Sequence, residues 1–203
     1  MSDGFSRLTL AAFLQQVGDK TPAPGGGAVA SVVGALGAAL ARMVVSYTRG
    51  KKAFAAHEHE LADADRALLN AVNLMMRLAE EDAQAYGMVN ELSRLPEDDP
   101  RRDALPVAVA ASVQVPLAVV AACVDLLRLF ERLAVGTNRH LRSDLAIAAV
   151  LADAAARASF WNIAVNATGA GSEGPAALDQ ARGLLADAAR RSARVLSLCE
   201  ADP

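Results

Sequence analysis

Pro22-Ala23-Pro24-Gly25-Gly26-Gly27 runs straight into Ala28–Ala41 without a single charged residue. Two prolines stiffen the approach, and three glycines lay the backbone bare to whatever lies beside it. The segment that follows is built from Ala, Val, Gly and Leu. A helix that is apolar all round is one buried on most of its sides. The stretch therefore predicts a central helix whose N-terminus, with free N–H groups and the positive end of the dipole, is aimed at something.

The rest of the composition agrees with a helical protein. Of 203 residues, 53% are hydrophobic but only 4% aromatic, so small aliphatic side chains, mainly Ala, must fill the core. That favours close-packed helices over a sheet, which draws on aromatic and β-branched residues. The net charge is −3 with no basic block, which argues against a nucleic-acid partner. Cys123 and Cys199 are too few for a disulfide framework, have no metal-site spacing, and suit a reducing cytoplasm. Met1–Leu10 lacks the basic and apolar regions of a secretory signal. Thr21–Ala41 is uncharged and long enough to span a bilayer. Ala and Gly insert weakly, however, and Tyr47 is the sole nearby interfacial aromatic, so a buried helix is expected and no membrane partner.

Taken in order, Leu8–Val17 reads as a short amphipathic helix with Leu10, Phe13, Leu14 and Val17 on one face. The glycine helix covers about Gly26 to Arg49. Gly34 and Gly37 within it are expected to let a neighbouring helix approach closely, and Gly50-Lys51-Lys52 forms its exit. A long helix from about Ala55 to Leu92 carries the stripe Leu61, Leu68, Val72, Met75, Ala79, Asp82, Tyr86 and Val89. An acidic loop, Leu95–Pro100, leads to a helical segment over about Arg101–Leu133, with a kink or break expected near Pro116. Gly136-Thr137-Asn138 ends it and caps the next helix, about Arg142–Asn166. Ala176–Cys199 closes the chain, with Leu178, Leu185, Ala189, Leu196 and Cys199 on its apolar side. With no repeat and no linker, the expectation is a single all-α domain over 1–203: a bundle of about five to six helices around the Gly/Ala-rich one.

Asp82 is the sharpest anomaly, because a carboxylate in an apolar seam must be paired, protonated or functional. Asp144 follows Ser143 near a helix start, where capping is ordinary chemistry. Asn162 and Asn166 stand one turn apart between Ala and Val residues, placed either to read a heterocycle edge or to bridge helices. They lie roughly 27 Å from Asp144 along the axis, so a single ligand in one subunit does not easily reach both. Either the ligand is long, a neighbouring subunit contributes, or one set is structural. The Gly25–Gly27 run lacks the Gly-Lys-Ser/Thr of a phosphate-binding loop and follows no strand, which leaves nucleotide binding with little support. Lys51 and Lys52 either meet an anionic substrate or form a solvated helix end. His57 and His59 diverge on a helix, His140 is alone, and no metal site is expected.

These pieces, in this order and spacing, resemble the folate-dependent cyclodeaminase/cyclohydrolase family. They are Pro22–Ala30, Gly37-Ala38-Ala39-Leu40 and Met43, Gly50-Lys51-Lys52, Asp82-Ala83-Gln84-Ala85-Tyr86, Leu95-Pro96, Val115-Pro116-Leu117, Asn138 with Arg142-Ser143-Asp144-Leu145, and Asn162–Asn166. Ala28, Glu97-Asp98 and Trp161 depart from residues usual at those places. The resemblance implies an all-helical fold, a cytosolic homodimer, and a tetrahydrofolate derivative as substrate with no metal or nucleotide cofactor. It implies Asp82, Asp144 and Lys51 as catalytic residues. Pro24, Gly25, Gly26, Gly27, Asn138, Ser143, Asn162 and Asn166 are implied as substrate contacts. With no formiminotransferase half in the chain, hydrolysis of 5,10-methenyltetrahydrofolate is the expected reaction. Cyclodeamination of 5-formiminotetrahydrofolate, or a silent binding protein on the same fold, stands as the alternative.

Overall fold

A computed structural model describes residues 4–200. The outermost residues of the expected domain, 1–3 and 201–203, lie outside the described residues. Six α-helices account for most of the chain: α1 Leu10–Gly18, α2 Gly26–Thr48, α3 Glu58–Leu92, α4 Leu105–Gly136, α5 Arg142–Asn166 and α6 Glu173–Glu200. There is no strand among the described residues.

The centre of the bundle is built from small residues. α2 packs against α3 on one side and α5 on the other, while α4 packs on α3, α5 and α6. α2 and α5 run antiparallel. Gly26 faces Asn162, Gly34 faces Ala155, Gly37 faces Ala148 and Ala152, and the Asn138 N–H donates to Thr48 Oγ1 at 3.1 Å. Gly34 and Gly37 do the work expected of them. A Cβ on Gly37 would lie 3.0 Å from the Ala148 carbonyl oxygen, and one on Gly34 3.1 Å from Met75. Ala28, Ala38, Ala41, Ala148, Ala152 and Ala155 are fully buried along this seam.

Some elements differ from the sequence reading. α4 runs unbroken through Pro116, so of the kink or break that the sequence predicts there the break does not occur. Proline has no N–H for the carbonyl four residues back, that of Ser112. Asn166 Nδ2 donates to that carbonyl at 2.8 Å, so a side chain from α5 supplies the bond the proline withholds. α1 buries Phe13 but leaves Leu10 and Leu14 exposed, so its expected apolar face is only partly used. On α6 the buried line is Ala177, Ala181, Ala188, Ser192, Val195 and Cys199, with Leu178 and Leu185 flanking it. The contact follows the small residues because they admit the closest approach of α4 and α5. α3 begins only at Glu58, after a 3₁₀ turn over Lys52–His57.

Candidate active site

The N-terminus of α2 has no side-chain cap of its own, because Gly25 occupies the N-cap position. The cap comes from another helix. Asp82, on α3, accepts a hydrogen bond from the Ala28 N–H, the donor in the third position of α2 that a capping side chain would normally satisfy. Gly27 makes the approach possible, since a Cβ there would lie 2.0 Å from Asp82 Oδ1. Burial pushes the Asp82 carboxyl above its ordinary value, and the Ala28 bond only partly opposes that. Half-buried, it has no cationic partner among the described residues.

A cavity of about 310 Å³ opens over this carboxylate. One wall is backbone: Pro22, Ala23 and Gly25–Gly27. The opposite walls are Ala83 and Tyr86 from α3, Ser112 from α4, and Asn162, Val165 and Asn166 from α5. Because Asn166 Nδ2 is committed to the Ser112 carbonyl, its Oδ1 is the atom left for the cavity. The fold thus brings together Gly25, Gly26, Gly27, Asp82, Asn162 and Asn166, as the sequence leads one to expect. Pro24 is different: it is buried, and Pro22 and Ala23 line the space instead. Tyr86 belongs to the α3 stripe but is not among the expected site residues. The available signal is its spacing, one turn after Asp82, which places both side chains on one face.

The other four expected residues stand elsewhere. Lys51, Asn138, Ser143 and Asp144 all cluster where α2 ends and α5 begins, the opposite end of the helix pair from Asp82. Asn138 acts there as a cap, its side chain accepting from the His140 N–H at 3.2 Å. Lys51 and Ser143 are exposed, and Asp144 stands in the first turn of α5. Gly50, with φ of 72°, makes the turn out of α2, and its N–H donates to Glu58 at 2.9 Å. Nearby Asp65 is paired with Arg42 at 2.7 Å and Arg49 at 3.6 Å, which makes it a strut between α2 and α3.

A larger cavity, about 740 Å³, lies between the ends of α3, α4 and α6. Its carboxylates already have partners: Asp63 is paired with Arg66 and Glu131 with Arg191, and Glu60 lies 3.3 Å from the His57 ring. Nothing there matches the uncompensated Asp82.

An all-helical fold that presents a lone half-buried carboxylate beneath a flat backbone wall defines a class of small-molecule enzyme without a phosphate loop. The sequence profile described as Formiminotransferase-cyclodeaminase matches residues 9–177, and the chain belongs to that family. A methenyltetrahydrofolate cyclohydrolase from Methylorubrum extorquens is 30% identical over 92% of this chain and 93% of its own length. The formimidoyltransferase-cyclodeaminase of Sus scrofa is 33% identical over 77% of this chain, which spans only 30% of that longer protein. The crystal structure of a formiminotetrahydrofolate cyclodeaminase from Thermotoga maritima superposes with a TM-score of 0.89 at 31% identity, covering 97% of this chain and 98% of that one.

Proposed function

We propose that this chain, as a single helical domain, is a methenyltetrahydrofolate cyclohydrolase. It adds water to the cyclic amidine of 5,10-methenyltetrahydrofolate and yields 10-formyltetrahydrofolate. The observation that carries the reading is Asp82, a carboxylate without a counter-ion, held at the base of a cavity one of whose walls is bare backbone. The substrate is a cation spread over two nitrogens and one carbon. A partly desolvated carboxylate attracts it more strongly than an exposed one, because its field is less screened.

The same group takes the proton of the attacking water. Its raised pKa makes it a better base than an ordinary carboxylate. A C–O bond forms at the methenyl carbon and the water proton passes to Asp82. The adduct then collapses with cleavage of the bond from that carbon to N5, and N5 takes up a proton as the formyl oxygen forms. Gly25–Gly27 and Tyr86 bound the flat ring system, and Asn162 and Asn166 offer amide groups to its polar edge. Asp144 and Lys51, the other residues that the resemblance implies as catalytic, stand at the far end of the α2–α5 pair and do not line this cavity.

The Methylorubrum relative, matched along nearly its whole length, is a cyclohydrolase, which favours hydrolysis over deamination. We further read the protein as a cytoplasmic homodimer. The two cysteines, free and buried, suit a reducing compartment. α2 and the segment ending in α4 are long and apolar enough to cross a membrane, yet both pack within the bundle. Recovery of the expressed protein in the soluble fraction supports that reading, and recovery in membranes overturns it.

The direct test is the absorbance of 5,10-methenyltetrahydrofolate mixed with purified protein. Decay faster than in buffer, with 10-formyltetrahydrofolate as product, is expected. Decay at the buffer rate sinks the proposal. Ammonia released from 5-formiminotetrahydrofolate, with no hydrolysis, assigns the cyclodeaminase reaction instead.

A further inference from the structure

The cavity of about 740 Å³ has no part in the reaction argued above, although it is the larger of the two described so far. It lies where α3 begins and where α4 and α6 end. Its last wall residue on α3 is Ala67, and Asp82 stands roughly 22 Å further along the same helix by rise. Lys51, Ser143 and Asp144 do not line it either. Its volume falls inside the range of small-molecule pockets, about 300–1,000 Å³.

The floor is apolar. Leu61 and Ala64 of α3 and Leu129 and Leu133 of α4 form it, each at most 8% exposed, with Leu198 of α6 alongside. The members of each pair stand one turn apart, so each pair shares one face of its helix. From Glu60 to Ala67 on α3, and from Leu129 to Gly136 on α4, the floor runs about 10 Å.

The rim is charged, and its two signs are not equally satisfied. Asp63 is paired with Arg66, and Glu131 with Arg191 at 2.9 Å. The Glu60 side chain is 81% exposed, out in solvent beside the His57 ring. Arg132 of α4 and Arg194 of α6 line the same cavity, and neither is hydrogen-bonded or ion-paired to another described residue. Arg132 stands one turn after Leu129 and Arg194 one turn before Leu198, so each guanidinium borders the apolar floor.

We propose that this cavity is a second small-molecule site, which takes an apolar carboxylic acid: the chain or ring lies on the leucine floor, and the carboxylate is held by Arg132 and Arg194. The proposal does not depend on the reaction at Asp82.

The class of ligand follows from what floor and rim each require. A neutral molecule covering the floor would strip water from two guanidiniums and give nothing back, which is costly. A cation would meet the same two charges, while Asp63 and Glu131 are already compensated. A carboxylate matches the guanidinium fork in shape as well as charge, and the body it carries removes the leucine floor from water.

Octanoate is the probe, because its extended chain is about as long as the floor and its headgroup suits the rim. Titrated into purified protein in a calorimeter, it should bind saturably, one per chain, and raise the melting temperature. Octanol and octylammonium carry the same chain and should bind at least ~10-fold more weakly. Arg132 and Arg194 are exposed, so Arg132→Ala and Arg194→Ala should fold, and each should weaken octanoate by about 10-fold or more. Ala67→Phe, at an exposed place on the wall, should block the floor with helical circular dichroism unchanged. Asp82→Asn should bind octanoate as the wild type does.

Absence of saturable binding overturns the proposal. So does octylammonium binding as tightly as octanoate, or undiminished octanoate affinity when both arginines are replaced. Octanoate binding that is lost in Asp82→Asn but kept in the arginine variants places the acid in the other cavity and equally overturns it. If octanoate binds as expected while methenyltetrahydrofolate is not hydrolysed, the functional reading fails and this site stands.

Discussion

Gly27 and Asp82 occupy space that only one side chain can fill: a methyl group on Gly27 would stand 2.0 Å from Asp82 Oδ1. The third glycine of the triple is therefore a seat for a carboxylate from α3 as well as part of the cavity wall. Gly25 is the opposite case. It has φ of −118°, an extended conformation open to any residue, and a methyl group added there would meet nothing within 4 Å.

The two glycines should accordingly respond differently. Gly27→Ala must displace Asp82 or shift α2, and overpacking of this kind costs about 1–3 kcal/mol. It should also lower turnover to near the level of Asp82→Asn. Gly25→Ala should fold and melt like the wild type. If a substrate ring lies on that stretch of backbone, its KM rises. An unchanged KM for Gly25→Ala shows that the ring lies elsewhere.

Asp82→Asn separates catalysis from stability. Loss of a general base typically lowers the rate by about 10²–10⁴-fold, and a fall of that order is expected in kcat. Asparagine keeps an oxygen for the Ala28 N–H and removes a charge that burial disfavours, so the variant should melt no lower than wild type near neutral pH. The sign of the pH effect follows. Because the folded-state pKa is raised, folding favours the protonated form. The stability so gained is complete below the unfolded value, near 3.8, and is lost as pH rises through the folded value. The melting temperature of wild type relative to Asp82→Asn should fall across that interval. The acid limb of the wild-type rate should lie above pH 3.8, since the ionised form is the base. A limb at the ordinary carboxylate value contradicts the role given to Asp82.

What is legible in the sequence follows from where the information lies. The apolar run of α2, the stripe of α3 and the Ala-rich face of α5 are local patterns, and helix period alone places them. α5 has its expected bounds, Arg142–Asn166, because Gly136-Thr137-Asn138 and Gly169 punctuate it on both sides. Asp82 stands out because it replaces an apolar residue in a seam. The continuity of α4 is not legible, because its cause is Asn166, 50 residues beyond Pro116 in the chain. For the same reason Gly27 reads in sequence as facing a ligand: nothing close to it in the chain reveals that α3 delivers a carboxylate to that point. The separation of Asp144 from Asn162 can be counted along one helix, and the structure keeps it.

Gly34 and Gly37 test the packing of the central pair. An added methyl at either gains up to about 1 kcal/mol of helix propensity. At Gly34 it meets the flexible end of Met75 at 3.1 Å, which can move, so Gly34→Ala should lie within about 1 kcal/mol of wild type. At Gly37 it meets the Ala148 backbone carbonyl at 3.0 Å, which can yield only if α5 moves. Gly37→Ala should therefore destabilise by about 1–3 kcal/mol despite its better propensity. Denaturant unfolding of the two variants, compared at equal slope, checks the order. Equal stabilities would mean that the α2–α5 contact is looser than its geometry.

Asn166 and Pro116 should be coupled although they do not share a helix. Removing the amide with Asn166→Ala leaves the buried side of the Ser112 carbonyl without its donor, at a cost of about 1–3 kcal/mol. Pro116→Ala restores the N–H that a continuous helix would give to the same carbonyl. In the Pro116→Ala background the cost of Asn166→Ala should shrink, because the acceptor is already satisfied. A double-mutant cycle read by chemical denaturation should give a coupling of at least ~0.5 kcal/mol between the two positions. Strict additivity would show that the Asn166 amide does not substitute for the missing proline N–H. Asn166 would then be placed in the cavity for its ligand alone. Coupling together with a raised KM for Asn166→Ala would show that one side chain serves both ends, its nitrogen mending α4 and its oxygen facing the substrate.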